Sequence, residues 1–263
     1  MSEWIEVGSG FWNLRGSFTF LLGSVDIGTH ASLIKLPSGK FLLIDTIDFS
    51  EKAIRELNEL TDNGKLIEAV LATHPFHTVY FAAFFKLYPD LTYYGCPRHL
   101  TRNDGVNWSK TTLLDEGLRK QWEDQGVFMR IPDGADFEAP EESNHFSSVL
   151  VFHAPSKTIH VDDTVMFFEK PGFVLRMLGK ADGTMEFWDL KKGLQKTEAA
   201  PLAFKAWVEQ LLADWDFDNI VTAHTGNKLG GAKQFLADTL KKATPALEKL
   251  SKNAHVHSAD CKH

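Results

Sequence analysis

Short apolar runs alternate with amphipathic stretches over the first hundred residues of the chain. Apolar-rich runs at 31–36 and 41–44 predict a β-hairpin. The segment 50–63 has apolar residues at helical spacing and begins with Ser50, a residue type that caps helix N-termini. The apolar run 66–71 then predicts a buried strand. This order of strands and helices indicates a layered α/β protein.

The alternation continues to the middle of the sequence. A second helix that ends before Pro89 and a short strand at 91–94 complete a β-α-β-α-β order. The more polar stretch 96–125 has apolar residues near helical spacing, so we expect it to be helical. A strand at 127–131 and an acidic, exposed loop at 132–144 are predicted to follow.

The second half repeats the order of hairpin, helix, strand and helix. The apolar runs 146–152 and 158–161 predict a second hairpin, and 165–168 is expected to extend its sheet. The segment 172–195 has no clear period and is interpreted as an insertion of loop and helix. The last expected elements are a helix at 201–215, a strand at 216–223, a helix at 231–250 and a flexible tail at 251–263.

Composition and charge narrow the class of protein. With 263 residues, of which 43% are hydrophobic, the chain can bury one large core. A formal net charge of -7 without a basic cluster argues against a nucleic-acid partner and leaves a small-molecule substrate as the expected one. The longest apolar stretch, 79–87, is too short to span a bilayer, so no membrane partner is expected.

The cysteines and the first residues bear on the cellular compartment. Cys96 and Cys261 lie far apart in the sequence and do not suggest a disulfide framework. The first residues have neither the basic region nor the apolar core of a secretory signal. We therefore expect a cytoplasmic protein, and the sequence leaves its oligomeric state open.

Two histidines follow the buried strand that is predicted at 66–71. His74 and His77 lie three residues apart in the next turn, where α/β proteins usually place their chemistry. Imidazole nitrogens and carboxylate oxygens are ligands that zinc takes in proteins. The turn is therefore a candidate metal site.

This turn resembles the Thr-His-x-His-x-Asp-His signature of the metallo-β-lactamase superfamily. Thr73 and His74 match the beginning of the signature. Phe76, Thr78 and Val79 stand where the signature has its second His, its Asp and its third His. The resemblance therefore implies a degenerate motif in which His74 is the surviving ligand.

Later segments resemble further motifs of the same superfamily, and they occur in the same order. Asp45, in Leu-Leu-Ile-Asp-Thr, matches a structural Asp at a strand end. His145, before the second predicted hairpin, matches the His of the third motif. Asp163, in Asp-Asp-Thr-Val, falls on the bridging carboxylate, and His224, in Ala-His-Thr-Gly, falls on the ligand of the last motif.

The resemblance also implies a fold. It implies a four-layer αββα sandwich, in which two mixed β-sheets stack face to face and helices cover the outside. Residues 1–250 would form this sandwich as a single domain. The apolar pattern by itself indicates only one α/β domain.

The resemblance implies that His74, His145, Asp163 and His224 converge on one divalent ion, bound more weakly than in intact relatives. Zinc is the expected ion, and iron and manganese are alternatives. No metal is bound if the site has lost its function. An ion with an open coordination position lowers the pKa of a bound water to about 7, and Asp163 is expected to orient or deprotonate that water. His77 is a possible substitute ligand, although its place between two ligand positions predicts that it points elsewhere.

The remaining histidines have plainer interpretations. His153 and His160 flank the second predicted hairpin and are expected at its edge or on the surface, while His30 is expected in a turn before a strand. Asp162 and Asp163 have the alternative role of capping a turn. Adventitious metal binding is expected from residues of the tail, namely His255, His257, Cys261 and His263.

Two functions remain open at the level of the sequence. The first is a metal-dependent hydrolase of a small ester, thioester, lactone or phosphoester. The second is a non-catalytic relative that acts as a binding or interaction module, and the three replaced signature residues favour it. The retained His145, Asp163 and His224 favour the enzyme, and the balance lies slightly on that side.

Overall fold

The computed structural model of the chain describes residues 3–20, 25–102 and 104–260. Within these residues, the strands are β1 Ile5–Gly8, β2 Phe11–Gly16, β3 Thr19–Phe20, β4 Val25–Asp26, β5 Thr29–Lys35, β6 Phe41–Ile44, β7 Ile67–Leu71, β8 Tyr93–Tyr94, β9 Val127–Arg130, β10 Leu150–His153, β11 Thr158–Val161, β12 Val165–Phe168, β13 Thr184–Phe187, β14 Asn219–Thr222 and β15 Asn227–Lys228. The helices are α1 Glu51–Thr61, α2 Phe81–Leu87, α3 Pro97–Leu100, α4 Glu116–Lys120, α5 Phe173–Met177, α6 Leu190–Gly193, α7 Ala199–Asp214 and α8 Ala232–Asp260.

Most of the strands belong to two mixed sheets. The six-stranded sheet has the order β1-β2-β5-β6-β7-β8, and the five-stranded sheet has the order β15-β14-β11-β10-β9. In the first sheet β6, β7 and β8 run parallel, and in the second sheet β11 and β14 run parallel. The other neighbours in these two sheets are antiparallel. Two small sheets are formed by the pairs β12-β13 and β3-β4.

The buried apolar side chains define four layers. On β6, Leu42 and Ile44 belong to a cluster that lies between the two sheets and includes Val151 of β10 and Val221 of β14. The side chains on the other face of β6 pack against residues of α1 and α2. The outer face of the five-stranded sheet packs with α7 and α8. Side chains alternate between the two faces of a sheet along each strand, and clusters of buried side chains cover both faces of the two sheets.

The predicted fold class is therefore confirmed: helices lie outside two stacked mixed sheets. The first helix also forms as its sequence predicts. The Ser50 side chain accepts a hydrogen bond from the backbone N–H of Ala53, at 3.2 Å, which caps α1. None of the helices in the described ranges is long and apolar enough to cross a membrane.

Three predicted elements differ from the structure. The stretch 96–125 is mostly irregular and contains only the short helices α3 and α4 and one 3-10 turn, because its apolar residues pack from turns. The strand at 165–168 forms as β12, but it pairs with β13 in a separate sheet instead of extending the second hairpin. The last helix, α8, continues past residue 250 to Asp260.

Candidate functional site

The candidate ligands lie at the carboxyl ends of strands from both sheets. His74 follows β7 of the six-stranded sheet, while Asp163 follows β11 and His224 follows β14 of the five-stranded sheet. β11 and β14 are parallel neighbours, so their ends meet at one edge. The two sheets therefore bring these three residues to the same edge of the sandwich.

Asp163 is the centre of this group. Its Oδ2 atom lies 3.4 Å from His74 Nε2 and 3.5 Å from His77 Nε2, and its Oδ1 atom lies 3.1 Å from His224 Nε2. Burial opposes ionisation of Asp163, but His224 and His77 beside it hold the pKa of its carboxyl well below the usual range. The carboxylate is thus ionised and surrounded by three imidazoles.

His77 belongs to this group, whereas the resemblance had predicted that it would point elsewhere. Its Nδ1 atom lies 3.4 Å from Asp162 Oδ1, and its ring stacks on that of His74 with centroids 4.0 Å apart. Burial lowers the pKa of His77, but Asp163 and Asp162 outweigh this effect and raise it well above its usual value. The imidazole of His77 therefore carries a positive charge between two carboxylates.

Both ring nitrogens of His74 contact the backbone. The Phe76 N–H donates to His74 Nδ1 at 3.1 Å, and His74 Nε2 lies 2.8 Å from the carbonyl oxygen of His145. Burial lowers the pKa of His74 to about 3, so its ring is neutral. An N–H can only donate and a carbonyl can only accept, so the proton of His74 lies on Nε2. A metal ion at Nε2 would have to displace this proton.

The imidazole of His145 lies apart from the other predicted ligands. Its ring is exposed and stacks on Phe76 with centroids 4.4 Å apart, while the His74 centroid is 5.9 Å away. Phe76 thus lies beside His145 in the position where the signature has a ligand. The structure brings together His74, Asp163 and His224, but the His145 ring only faces the same cavity.

The orientation of His224 is determined by its second nitrogen. His224 Nδ1 donates to the carbonyl oxygen of Gly28 at 2.6 Å, which leaves Nε2 to face Asp163 Oδ1. Asp163 Oδ1 is buried and has no hydrogen-bond partner within the described residues. Two acceptor atoms at 3.1 Å need a proton or a metal ion between them.

The turn that carries His224 is held by a half-buried arginine. Arg15 Nη1 donates to the carbonyl oxygen of Thr222 at 2.8 Å and to Asn227 Oδ1 at 2.9 Å, and Nη2 donates to the carbonyl oxygen of Ala223 at 3.3 Å. Burial lowers the pKa of Arg15 to about 10, so it remains charged at neutral pH. Arg15 belongs to β2, and it therefore ties the His224 turn to the opposite sheet.

A buried polar network lies beneath the site and was missed by the sequence analysis. Asp162 Oδ2 accepts a hydrogen bond from Thr73 Oγ1 at 2.7 Å, and Asp162 Oδ1 lies 3.4 Å from His30 Nε2. His160 contacts Asp45 Oδ2 through Nε2 at 2.9 Å. Asp45, the residue with a structural role in the resemblance, also accepts from the Thr73 N–H at 3.0 Å. These contacts connect the ends of β6, β7 and β11.

The expectation that His153 and His160 lie at the surface, with His30 in a turn, was wrong. All three are at most 1% exposed, and His30 lies within β5. The strand pattern contained the signal: His160 alternates with Ile159 and Val161, which face the outer helices. His160 must therefore face the space between the sheets.

His30, His160 and Asp162 also offer nitrogen and oxygen atoms within 4.8 Å of one another. The rings of His30 and His160 are stacked, with centroids 4.1 Å apart and planes at 16°. Nitrogen lone pairs lie in the ring plane, so two stacked rings do not direct them at one point. We interpret this cluster as a hydrogen-bonding network rather than a second metal site.

The residues around Asp163 do fit a single ion. Ligand atoms about 2.0–2.2 Å from a tetrahedral ion are separated by roughly 3.3–3.6 Å, close to the three distances around Asp163. His74 and His77 are stacked, so they do not both direct a nitrogen at one ion in this arrangement. Ligand atoms of His74, His77 and Asp163 lie within 4.8 Å of one another, while His224 faces the other oxygen of the same carboxylate. Asp163 with one of the two stacked histidines is therefore the core of a candidate ligand set, beside which His224 lies.

A cavity of about 550 Å³ opens above this group. Asp163, His77 and His224 line its inner end. The other lining residues are mainly apolar and come from several loops and from β12. Such a volume is within the range of small-molecule pockets, which is about 300–1,000 Å³.

Solved structures with similar folds were found, while no protein-family model and no curated protein sequence matches the chain. A metallo-β-lactamase from Erythrobacter litoralis is similar over 92% of this chain and 96% of its own, with 13% identity and a TM-score of 0.60. One from Hirschia baltica is similar over 91% and 96%, with 15% identity and a TM-score of 0.58. The metallo-β-lactamase FIM-1 from Pseudomonas aeruginosa, in a mono-zinc form, is similar over 92% and 96%, with 10% identity and a TM-score of 0.58.

These structures are similar to the chain over nearly its whole length, with TM-scores of 0.60 and 0.58 for the first two. The resemblance that the motifs predicted is therefore confirmed at the level of the three-dimensional structure. The chain has the fold of the metallo-β-lactamase superfamily.

Proposed function

We propose that the protein is a metal-dependent hydrolase with one divalent ion at Asp163. The observation that carries this proposal is the ionised, buried carboxylate of Asp163, with three imidazoles 3.1–3.5 Å away at the inner end of a cavity. His224 and Asp163 would hold the ion together with His74 or His77. Nitrogen and oxygen ligands suit zinc first, and iron or manganese as alternatives.

When bound, such an ion supplies a polarised scissile group and a water whose pKa is lowered to about 7. With the ion bound, Asp163 would orient the water and would be the group positioned to accept its proton. His224 is kept in a ligand-ready tautomer by the Gly28 carbonyl. His145 faces the cavity beside Phe76, where it can contact a bound substrate. This arrangement suits hydrolysis of a small ester, thioester, lactone or phosphoester.

Two further observations support this proposal. The FIM-1 structure shows a protein of this fold in a mono-zinc form, so one zinc is compatible with the scaffold. The cavity of about 550 Å³ suits a small molecule, and we propose neither a nucleic-acid nor a membrane partner. The cytoplasmic location is likewise a proposal, and it is tested by fractionation of cells that produce the protein.

Metal content measured by mass spectrometry tests the proposal. Because α8 continues through residue 251, truncation of the tail would cut a helix. The tail ligands are therefore better replaced by serine in the full-length chain: His255, His257, Cys261 and His263. This protein is incubated with zinc, manganese or ferrous iron, dialysed and analysed.

The expected result is about one ion per chain, lost in His224→Ala and retained in His145→Ala. The metal-loaded protein should hydrolyse p-nitrophenyl acetate or a thioester analogue faster than the His224→Ala variant. A chain that keeps no ion after incubation with each of the three metals contradicts the proposal. That outcome would favour the non-catalytic binding module.

A further inference from the structure

One wall of the cavity above Asp163 is apolar and continues out to the protein surface. Met166 and Phe168 of β12 line its inner part, and Leu175, Leu178 and Trp188 line its outer part. Leu178 is 68% exposed and Trp188 is 38% exposed. The apolar surface therefore starts beside the candidate ligands and ends in contact with solvent.

Further apolar residues line the cavity. They include Phe18, Ile27 and Val79, and Val79 is 65% exposed. Val79 replaces the last histidine of the superfamily signature. His77, Asp163 and also His224 lie at the inner end, and Asp189 and Lys192, which form an ion pair at 3.8 Å, are further charged lining residues next to Trp188. The rest of the lining is mainly apolar.

The apolar wall is held by contacts of its own. β12 pairs with β13, directly before Trp188. Lys180 Nζ forms an ion pair with Glu186 of β13. The same Nζ lies 5.3 Å from the ring centroid of Phe168 and 5.7 Å from that of Trp188. These contacts indicate a wall that is formed before a ligand arrives.

We propose that the cavity takes an amphiphilic substrate, with its polar scissile group at Asp163 and an apolar chain along the wall of Phe168, Leu178 and Trp188. The candidate ligands at the inner end and the apolar side chains of the wall are complementary to the two parts of such a molecule. Because the scissile group would lie at the proposed metal site, this inference rests on the proposed function. The concave shape and the volume of about 550 Å³ suit a small molecule rather than a protein surface.

This proposal makes a quantitative statement about chain length. Each methylene group transferred from water to an apolar site contributes enough free energy to tighten binding about three- to fourfold. The gain should continue until the chain extends beyond Leu178 and Trp188 into water. Exposed apolar side chains at the mouth of a cavity are also a recognised feature of binding sites.

The test uses n-alkanols from butanol to decanol as uncharged, non-hydrolysable probes. Their binding to the full-length protein is measured by isothermal titration calorimetry, with and without saturating zinc. Leu178→Ser is the test variant, because Leu178 lines the cavity and is largely exposed. Leu87→Ser is the matched control, because Leu87 is 57% exposed at the end of α2 and does not line the cavity.

The expected result is a dissociation constant that falls about three- to fourfold per methylene in the wild type. Leu178→Ser should weaken octanol binding at least threefold, while Leu87→Ser should bind as the wild type does. Affinity that is independent of chain length, or an equal effect of the two variants, overturns the proposal. The proposal is also overturned if the protein binds phosphatidylcholine vesicles, loses this binding in Leu178→Ser, and binds alkanols with an affinity that does not depend on chain length. That result would indicate a membrane-docking surface.

The outcomes for hydrolysis and for chain length are separable. Alkanol binding without metal retention or hydrolysis would contradict the proposed function and would still support an apolar ligand site. Hydrolysis of p-nitrophenyl acetate with no gain in kcat/KM for longer acyl chains would support the hydrolase and contradict the proposal of an amphiphilic substrate.

Discussion

Asp162 and Asp163 are adjacent in the sequence, yet they lie in different surroundings. Asp163 borders the cavity and contacts His74, His77 and His224. Asp162 is enclosed, 1% exposed, and accepts a hydrogen bond from Thr73. His77 contacts both carboxylates, but the other partners of Asp162, Thr73 and His30, are at most 1% exposed. One carboxylate is therefore suited to chemistry and the other to stability of the fold.

Asparagine substitutions should separate these two roles. Asp162→Asn should lower the free energy of unfolding by about 1–3 kcal/mol, because an amide cannot accept from both Thr73 and His30 in this enclosed position. Asp163→Asn should change the unfolding free energy less and weaken zinc binding at least tenfold. Urea denaturation of the metal-free proteins and zinc titration check these expectations.

The relative destabilisation caused by the two asparagine substitutions tests the roles assigned to Asp162 and Asp163. If Asp163→Asn destabilises the metal-free fold more than Asp162→Asn does, the chemistry and stability roles are reversed. Glu68→Gln is a useful control, since Glu68 accepts a hydrogen bond from Trp122 at a distant, partly buried position.

The tautomer of His74 is a second prediction at the residue scale. In the metal-free protein, nitrogen-detected NMR correlations should show a protonated Nε2 and an unprotonated Nδ1 for His74, because Phe76 donates to Nδ1. Zinc that binds through His74 Nε2 should remove the Nε2 proton signal. Zinc that binds through His77 instead should leave the His74 tautomer unchanged. A protonated Nδ1 in the metal-free protein would contradict the geometry around Phe76.

The sequence predicted the place of His74 and His224 in the fold for a physical reason. His74 and His224 follow apolar strands whose carboxyl ends share an edge of the sandwich, and that position is visible in the apolar pattern. His77 could not be placed in this way, because the turn after His74 determines which side chains point inward. Asp162 could not be recognised either, because its partners come from the other sheet: His30 lies in β5 and Thr73 follows β7.

At the scale of elements, the turn after β14 depends on a residue from a strand of the other sheet. Arg15 of β2 donates hydrogen bonds to the carbonyl oxygens of Thr222 and Ala223, the two residues before His224. The next residue, Thr225, has a positive φ of 69° and donates its N–H to the carbonyl oxygen of Ile27. The turn is therefore held from one side by Arg15 and from the other by the segment after β4.

Replacement of Arg15 should loosen this turn. Arg15→Met removes three hydrogen bonds from a half-buried charged group, so we expect a loss of about 2–4 kcal/mol in unfolding free energy. Zinc affinity should fall about 10- to 100-fold, as for residues that orient metal ligands. Arg15→Lys should recover part of both effects, because a lysine can reach some of the acceptors.

Arg55→Met is the matched control for Arg15→Met. Arg55 lies on α1, its side chain is 65% exposed, and it forms only an exposed pair with Glu51. Its replacement should change the unfolding free energy by less than about 0.5 kcal/mol. Equal zinc affinities for Arg15→Met and Arg55→Met would contradict the role of Arg15 in positioning His224.

The elements themselves were predictable where local signals and packing agree. Ser50 marks the start of α1, and the apolar runs of β6 and β7 mark strands buried on both faces. The stretch 96–125 misled the pattern, because Leu113, Leu118 and Trp122 fill the space between the sheets from turns and one short helix. Spacing near 3.6 residues arose there without a continuous helix.

At the scale of the whole molecule, the closed sandwich keeps several histidines away from water. Burial lowers the pKa of His30 well below its usual value, that of His74 and His99 to about 3, and that of His153 to about 4. All four are 0–1% exposed. Each is neutral in the folded protein and takes up a proton on unfolding below a pH of about 6.5. The fold is thus expected to be sensitive to acid.

The stability of the metal-free protein should fall as the pH decreases from about 6.5 toward 4. A folded-state pKa below the unfolded value contributes stability above pH 6.5, and this contribution is lost as protons bind the unfolded chain. Each buried histidine contributes a slope of about 1.4 kcal/mol per pH unit, so four give at most about 5 kcal/mol per unit near pH 5. Because domains are stable by only about 5–15 kcal/mol, we expect unfolding before pH 4.

His77 acts in the opposite direction, and this determines where stability is greatest. The carboxylates Asp163 and Asp162 raise its pKa above the unfolded value, so its contribution is present below about pH 6.5 and is lost as the pH rises. The maximum should therefore lie near neutral pH. Urea denaturation between pH 8 and 4.5 measures the profile, and His153→Asn, remote from the metal site, should reduce the slope near pH 5 by about 1.4 kcal/mol per unit. Stability that stays constant from pH 7 to 5 would mean that these histidines reach water without unfolding, contrary to their burial in the folded protein.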